Sequence, residues 1–347
     1  MIAVRALALL LAIAGAARAQ EPEWQWRNLP DLPRAISGQA VGVSGGALLV
    51  AGGSYFPVSV FEGGRKQWVD SLFVLEAGAR EWRQFRLPRR LAYAGFVSAE
   101  DGLILIGGGD ERRSFREVTK WTWDGRRVRR QRLPALPEAA ANLGAAVLDG
   151  VVYAAGGQAD PAARTAHRRF WALDLKRLGA GWRELDPWPG PGRILPVMAA
   201  AGGSVWLASG AELLEGAGGA TARRYLADVY RYQPGSGWTR MPDMPRAAVA
   251  APAAADASGR VVVFGGDDGE FAARVQELKD RHPGFPRSIL ALNPQTGRWS
   301  EIGTIPVGLV TTGAVVYEGR IVIAGGEDRP GHRRATVFSG GVSPSDR

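Results

Sequence analysis

Leu48-Leu49-Val50-Ala51-Gly52-Gly53 is an apolar run that stops on a glycine pair, and the same signature returns along the chain. It recurs as Leu103-Ile104-Leu105-Ile106-Gly107-Gly108, Val151-Val152-Tyr153-Ala154-Ala155-Gly156-Gly157, Val261-Val262-Val263-Phe264-Gly265-Gly266 and Ile321-Val322-Ile323-Ala324-Gly325-Gly326. A degenerate copy reads Val205-Trp206-Leu207-Ala208-Ser209-Gly210. Short apolar runs bounded by glycine are strands rather than helices. A spacing of about 50–60 residues between copies marks a repeat architecture.

The surroundings repeat as well. Leu-Pro or Met-Pro turns come first, as in Leu29-Pro30-Asp31-Leu32-Pro33, Leu133-Pro134-Ala135-Leu136-Pro137 and Met241-Pro242-Asp243-Met244-Pro245. Proline cannot donate to a ladder, so it punctuates strands. A small-residue run and a turn such as Gly45-Gly46 or Asp149-Gly150 lead into the apolar run. After the glycine pair come a variable stretch, an alternating strand such as Phe170-Trp171-Ala172-Leu173-Asp174, and in most units a closing tryptophan (Trp82, Trp182, Trp238, Trp299). Each unit is therefore four short strands, one blade of a propeller, and the fold class is all-β with six blades. The glycine pair is expected where backbones crowd near the axis.

The last unit lacks its closing strand, while Trp24-Gln25-Trp26-Arg27-Asn28-Leu29-Pro30 near the other end has the right character. This N-terminal strand is expected to pair into the last blade and close the ring, which removes exposed edges.

Composition narrows the function. The chain has 347 residues and no cysteine, which excludes disulfides, thiolate metal sites and thiol nucleophiles. Its three histidines, His167, His282 and His332, lie far apart in sequence, and no metal is expected. The segment up to residue 19 has a basic start, an apolar run from Ala6 to Ala14 and a small-x-small pattern at Ala17-Arg18-Ala19. It reads as a secretory signal peptide, leaving 20–347 as one propeller in the periplasm or medium with no further membrane span. Loss of Arg5 and Arg18 lowers the net charge from +9 to +7. The arginines are dispersed rather than interleaved with aromatics, so nucleic acid is not an expected partner.

In a propeller, the loops after each glycine pair and the loops leading into each blade share one mouth of the channel, where binding residues concentrate. These loops carry Glu212, Asp268 and Glu327 after the glycines, and Arg34, Tyr93 and Arg193 at the lead-ins. Acids and arginines around one cavity suit a polar, anionic or sugar-like ligand. Each of these residues also has an ordinary structural use, as a loop cap or a surface ion pair. The segment Gly326-Glu327-Asp328-Arg329-Pro330-Gly331-His332-Arg333 is sharper, because a Pro-Gly turn folds it back and lets Glu327 and Arg333 flank one spot. A carboxylate beside a cation is a workable proton-transfer and anion-binding pair.

The units resemble kelch repeats over essentially the whole mature chain, and thus a six-bladed galactose-oxidase-like propeller. The last segment is similar to the G-E-x-[KR]-P-G-x-R stretch of the bacterial N-acetylneuraminate mutarotases (sialic acid epimerases), which are exported kelch propellers. Arg90-Leu91-Ala92-Tyr93-Ala94 and the long loop Gly53 to Asp70 resemble that family's lead-in loop and its insertion. The blade order resembles a cyclically permuted subfamily. The resemblance implies a cofactor-free mutarotase for an acidic sugar, with Glu327 as proton acceptor and Arg333 beside it as the carboxylate ligand. On this reading Arg34 and Arg193 are further anion contacts, and Tyr93, Glu212 and Asp268 hold hydroxyls or supply the second proton. A copper-radical oxidase of this architecture requires cysteine, and a hydrolytic sialidase requires Asp-box turns that the sequence lacks. The open alternative is a non-catalytic propeller that binds glycan or protein.

Overall fold

Six four-stranded antiparallel sheets follow one another along the chain in the computed structural model, which describes residues 23–99, 101–216 and 219–342. The expected signal peptide lies outside those residues. The first blade, from the axis outward, is Ala40–Ser44, Ala47–Ala51, Ser71–Glu76 and Arg83–Arg86. The second to fifth blades begin at Gly95–Ser98, Ala141–Leu148, Val197–Ala201 and Ala253–Ala255 and repeat this order. The sixth runs Ala314–Tyr317, Arg320–Arg329, His332–Val342, and then Trp24–Leu29 as its outermost strand. The expected closure is thus observed, in register from Trp24↔Val342 to Leu29↔Val337. No described helix is long and apolar enough to cross a membrane.

The core is divided into layers between blades. Leu48, Val50 and Phe73 of the first blade pack on Val322, Ala324 and Val337 of the sixth. Ile104 and Ile106 meet Val152 and Trp171 across the next boundary but one, and Phe264 and Ile289 meet Trp24 and Phe338 where the ring closes. Strand alternation sends one set of side chains to each neighbouring blade, which is why both faces of the second strand of each blade are apolar. Outer-strand tryptophans stitch the same boundaries. The Nε1 groups of Trp26, Trp82, Trp182 and Trp238 donate to the carbonyls of Thr304, Pro30, Pro134 and Asp186, each at the exit of the preceding blade, over 2.8–3.0 Å.

The glycine pairs act at the same boundaries rather than between inner strands of one blade. A Cβ on Gly52 would lie 2.2 Å from the Leu91 carbonyl oxygen, and the Gly53 N–H donates to that oxygen at 2.8 Å. The degenerate copy keeps the junction by other means: Ser209 takes φ +53°, and its hydroxyl accepts from the Ala248 N–H at 2.8 Å.

A second ring lies at the axis. Gly38, Tyr93, Asn142, Leu195, Ala250 and Thr311, one per blade, all have φ between +52° and +74°. Each N–H donates to the carbonyl of its neighbour in the preceding blade, and the Gly38-to-Thr311 bond closes the circle at 2.6 Å. Left-handed backbone in Leu195 and Thr311 is costly. Here it turns the peptide groups toward one another around the channel, a cavity of about 440 Å³ lined by small residues.

Candidate active site

The long excursions leave their blades just after a glycine pair or its degenerate Ser209-Gly210 copy, so they rise on one side of that ring. They are the stretch with strand pair Ser54–Tyr55 and Gln67–Trp68, the hairpin Ala211–Glu215 and Thr221–Tyr225, the helical segment 272–281, and the extended hairpin of the sixth blade. In that last hairpin Pro330-Gly331 forms the tip, with Gly331 at φ +81° and Arg329 opposite His332. Register irregularities on both sides of Glu327 re-aim the strand.

Glu327 stands directly across from Arg333. The Arg333 Nη1 lies 2.5 Å from Glu327 Oε2, and the two side chains are only 5% and 15% exposed. Glu327 Oε1 accepts from the Gly331 N–H at 2.8 Å, and Oε2 from the Thr311 hydroxyl at 3.4 Å. The turn and the axial ring therefore both hold this carboxylate. Arg333 is less satisfied. Its Nη1 is held by the Glu327 carboxylate, and its Nε is buried and makes no hydrogen bond. Its guanidinium lies 5.0 Å from the Phe56 ring. Asp328 points to the other side of the hairpin, where it meets His332 Nδ1 at 2.7 Å and Arg334 at 3.4 Å.

Tyr93 joins this pair from the ring. Its hydroxyl is 3.1 Å from the Ser54 hydroxyl, and Lys66 Nζ sits 5.0 Å from its ring centre. Burial pushes the phenol up, but the charges of Lys66 and Arg333 and the hydrogen bonds from Lys66 and Ser54 outweigh it and leave it below the usual phenol range.

Glu327 also lines a cavity of about 410 Å³ with the ring residues Leu195, Ala250 and Thr311, and Asp267, Tyr225, Arg223 and His282 line it too. The Tyr225 hydroxyl donates to Asp267 Oδ2 at 2.9 Å and the Gly269 N–H to Oδ1 at 3.0 Å. Burial raises the Asp267 carboxyl above its ordinary range, with help from Asp268, despite those two bonds and Arg223. Burial first, and then Asp267, hold the Tyr225 phenol well above its ordinary range. Burial and Arg329 hold His282 below the usual imidazole range, against the pull of Asp267. Among the described residues no group of three His, Asp or Glu is placed to hold a metal ion.

The structure thus brings together three of the residues singled out in the sequence: Glu327, Arg333 and Tyr93. The others stand apart. Arg193 is fully buried inside the propeller wall, with Nη1 and Nη2 on the two Asp228 oxygens at 2.7 and 2.8 Å, so no face of it is left for a ligand. Arg34 is exposed and lies 4.4 Å over the Tyr55 ring. Glu212 pairs with Arg224 on the face of its hairpin opposite Arg223 and Tyr225. Asp268 caps the Glu270 N–H at 3.1 Å, and its neighbour Asp267 lines the cavity instead. Lys66, Tyr225 and His282 are not among the sequence-derived candidates, and of the pair Asp267-Asp268 the sequence singles out Asp268. For Asp267 a signal existed: it is the first residue after its glycine pair, as Glu327 is.

No protein-family model matches the chain. Among curated proteins it is similar to the N-acetylneuraminate epimerase of Haemophilus influenzae (strain PittEE), 27% identical over 195 residues, which is 50% of this chain and 51% of that protein. The N-acetylneuraminate epimerase of Yersinia enterocolitica is 24% identical over 200 residues, 51% of this chain and 50% of that one. That of Brucella suis is 29% identical over 121 residues, 29% and 31% of the two chains. The chain spans about half the length of the first of these relatives. The chain is thus a six-bladed propeller that over about half of its length is similar to N-acetylneuraminate epimerases.

Proposed function

We propose that the protein accelerates the interconversion of sugar anomers, and that its substrate is an acidic sugar of the N-acetylneuraminate type. The observation that carries this reading is the Glu327–Arg333 pair: a base held in place by the Gly331 N–H and the Thr311 hydroxyl, and paired with a buried guanidinium whose Nε makes no hydrogen bond. A buried guanidinium binds a carboxylate ligand in a forked geometry. Lys66 adds a second positive charge near Tyr93. The similarity to curated N-acetylneuraminate epimerases points to the same substrate class.

Mutarotation needs one group to take the proton of the anomeric hydroxyl and another to protonate the ring oxygen as the ring opens. Glu327 takes the first proton. Arg333 and Lys66 bind the carboxylate, and the ring of backbone bonds under the cavity keeps the floor rigid, so orientation is set before substrate arrives. The proton transfers need no cofactor. The leader-like segment at 1–19 supports action in the periplasm or the medium.

The test is the anomer ratio of freshly dissolved N-acetylneuraminate followed by NMR with and without protein. Acceleration supports the reading. If no sialic acid or aldose responds while calorimetry detects sugar or protein binding, the non-catalytic reading replaces it.

A further inference from the structure

Asp267 occupies in the fifth blade the position that Glu327 occupies in the sixth. Each is the first residue after its glycine pair, and each exchanges two backbone hydrogen bonds with the lead-in of its own blade: Asp267 with Val249 at 2.9 Å, Glu327 with Val310 at 3.0 Å. The same position holds Ser54, Gly109, Gln158 and Ala211 in the other blades. Two neighbouring blades therefore present a carboxyl group, and both groups line the cavity of about 410 Å³.

Their surroundings differ in kind. Glu327 faces a buried arginine at 2.5 Å. Asp267 makes hydrogen bonds to two neutral groups, the Tyr225 hydroxyl and the Gly269 N–H. We propose that Asp267, oriented by Tyr225, is the second proton-transfer group of the site and protonates the ring oxygen of the sugar while Glu327 takes the proton of the anomeric hydroxyl. The inference rests on the mutarotase reading above and assigns the partner that this reading requires.

The step balances without an outside reactant. On opening, the bond between the anomeric carbon and the ring oxygen breaks, the ring oxygen takes the Asp267 proton, and the anomeric oxygen becomes a carbonyl as its proton passes to Glu327. After rotation about the adjacent carbon–carbon bond, the freed hydroxyl attacks the other face of the carbonyl. It returns its proton to Asp267, and Glu327 returns its own to the new anomeric oxygen. Two carboxyl groups in unlike environments divide acid and base roles in this way. Burial and the neighbouring Asp268 favour the protonated form of Asp267, against Gly269, Tyr225 and Arg223. The other groups on the cavity wall are Glu327 and His282. The His282 Nδ1 accepts from the Gly284 N–H at 3.1 Å, which leaves its proton on Nε2, and its lowered basicity keeps it neutral.

The test is the pH profile of kcat for anomer exchange in wild type, Asp267→Asn and Tyr225→Phe. Wild type should lose activity at alkaline pH as Asp267 deprotonates. Asp267→Asn should lower kcat about 100-fold, leave KM within about threefold and abolish the alkaline limb. Tyr225→Phe should move that limb to higher pH, because the lost hydrogen bond favours the carboxylate, and this variant decides the matter if Asp267→Asn does not fold. If wild type accelerates exchange while Asp267→Asn keeps the wild-type rate, or while the alkaline limb stays unmoved in Tyr225→Phe, Asp267 is not the acid. If wild type itself accelerates no sugar, the mutarotase reading falls, and this assignment with it.

Discussion

Arg333 and Glu327 face each other across the tip of one hairpin, with Nη1 2.5 Å from Oε2, while the buried Nε of Arg333 forms no hydrogen bond. Its side chain is almost fully buried beside the carboxylate. Arg333→Lys retains the charge but loses the planar fork. It should raise KM for N-acetylneuraminate about tenfold or more, with a smaller effect on a neutral aldose. Equal effects on both sugars would remove the carboxylate contact from the account.

Arg193 and Asp228 form a second buried pair, with bidentate bonds at 2.7 and 2.8 Å and no exposed guanidinium surface. Burial works against the Asp228 carboxylate, but Arg193 and the Tyr230 hydroxyl outweigh it and hold it below the ordinary range. A depressed carboxyl contributes stability that is present above its unfolded pKa and is lost as pH falls through the folded one. Asp228→Asn leaves a buried cation unpaired and should cost about 3–5 kcal/mol in urea unfolding near neutral pH, with the gap narrowing in acid. KM should stay unchanged in the folded fraction, which a ligand-binding Arg193 would not allow.

Asp267 shifts the other way. A raised carboxyl stabilises the fold fully below its unfolded pKa, and that contribution is lost as pH rises through the folded one. Asp267→Asn cannot ionise, so its Tm should exceed that of wild type near neutral pH and approach it in acid. An equal or lower Tm at neutral pH would show that burial there is not costly. The expected gain comes with lost activity, the usual exchange at a functional site.

Gly38 ties the axial ring to the site. Its φ is +74°, and a Cβ there would fall 2.7 Å from Tyr93 Cε1. Gly38→Ala should destabilise by about 1–3 kcal/mol and displace the Tyr93 ring. Absorbance titration of the phenols should then lose an early-ionising tyrosine, since Lys66 and Arg333 hold Tyr93 below the usual phenol range. Lys66→Met should have the same effect on that titration without the loss of stability.

Ring closure is testable at Trp24. It is buried against Phe264 of the fifth blade, at 5.5 Å edge to face, and stacks on Trp26. Trp24→Ala removes this packing from the layer where the first and last strands meet. It should cost about 3–5 kcal/mol in urea unfolding, far more than a surface change such as Arg27→Ala.

The blades were legible because their signals are local and repeated: glycine pairs, proline turns and closing tryptophans recur with one spacing. Closure was legible because the last unit lacked a strand that the other end supplied. In the site, Glu327 and Arg333 could be paired because a Pro-Gly turn fixes their register within eight residues of chain. Arg193 was misplaced because its partner Asp228 lies 35 residues away, in the wall of the same blade. Asp268 was chosen over Asp267 because a shift of one residue along an extended segment reverses the side chain's direction. Lys66, Tyr225 and His282 come from excursions that fold back over the mouth, and no periodic pattern announces that return.

The most direct measurement is the anomer exchange of N-acetylneuraminate by NMR, started from one crystalline anomer, with wild type and Glu327→Gln compared at equal folded concentration. The account predicts clear acceleration by wild type and a loss of about 100-fold or more in kcat for Glu327→Gln. Acceleration that survives Glu327→Gln undiminished would contradict it.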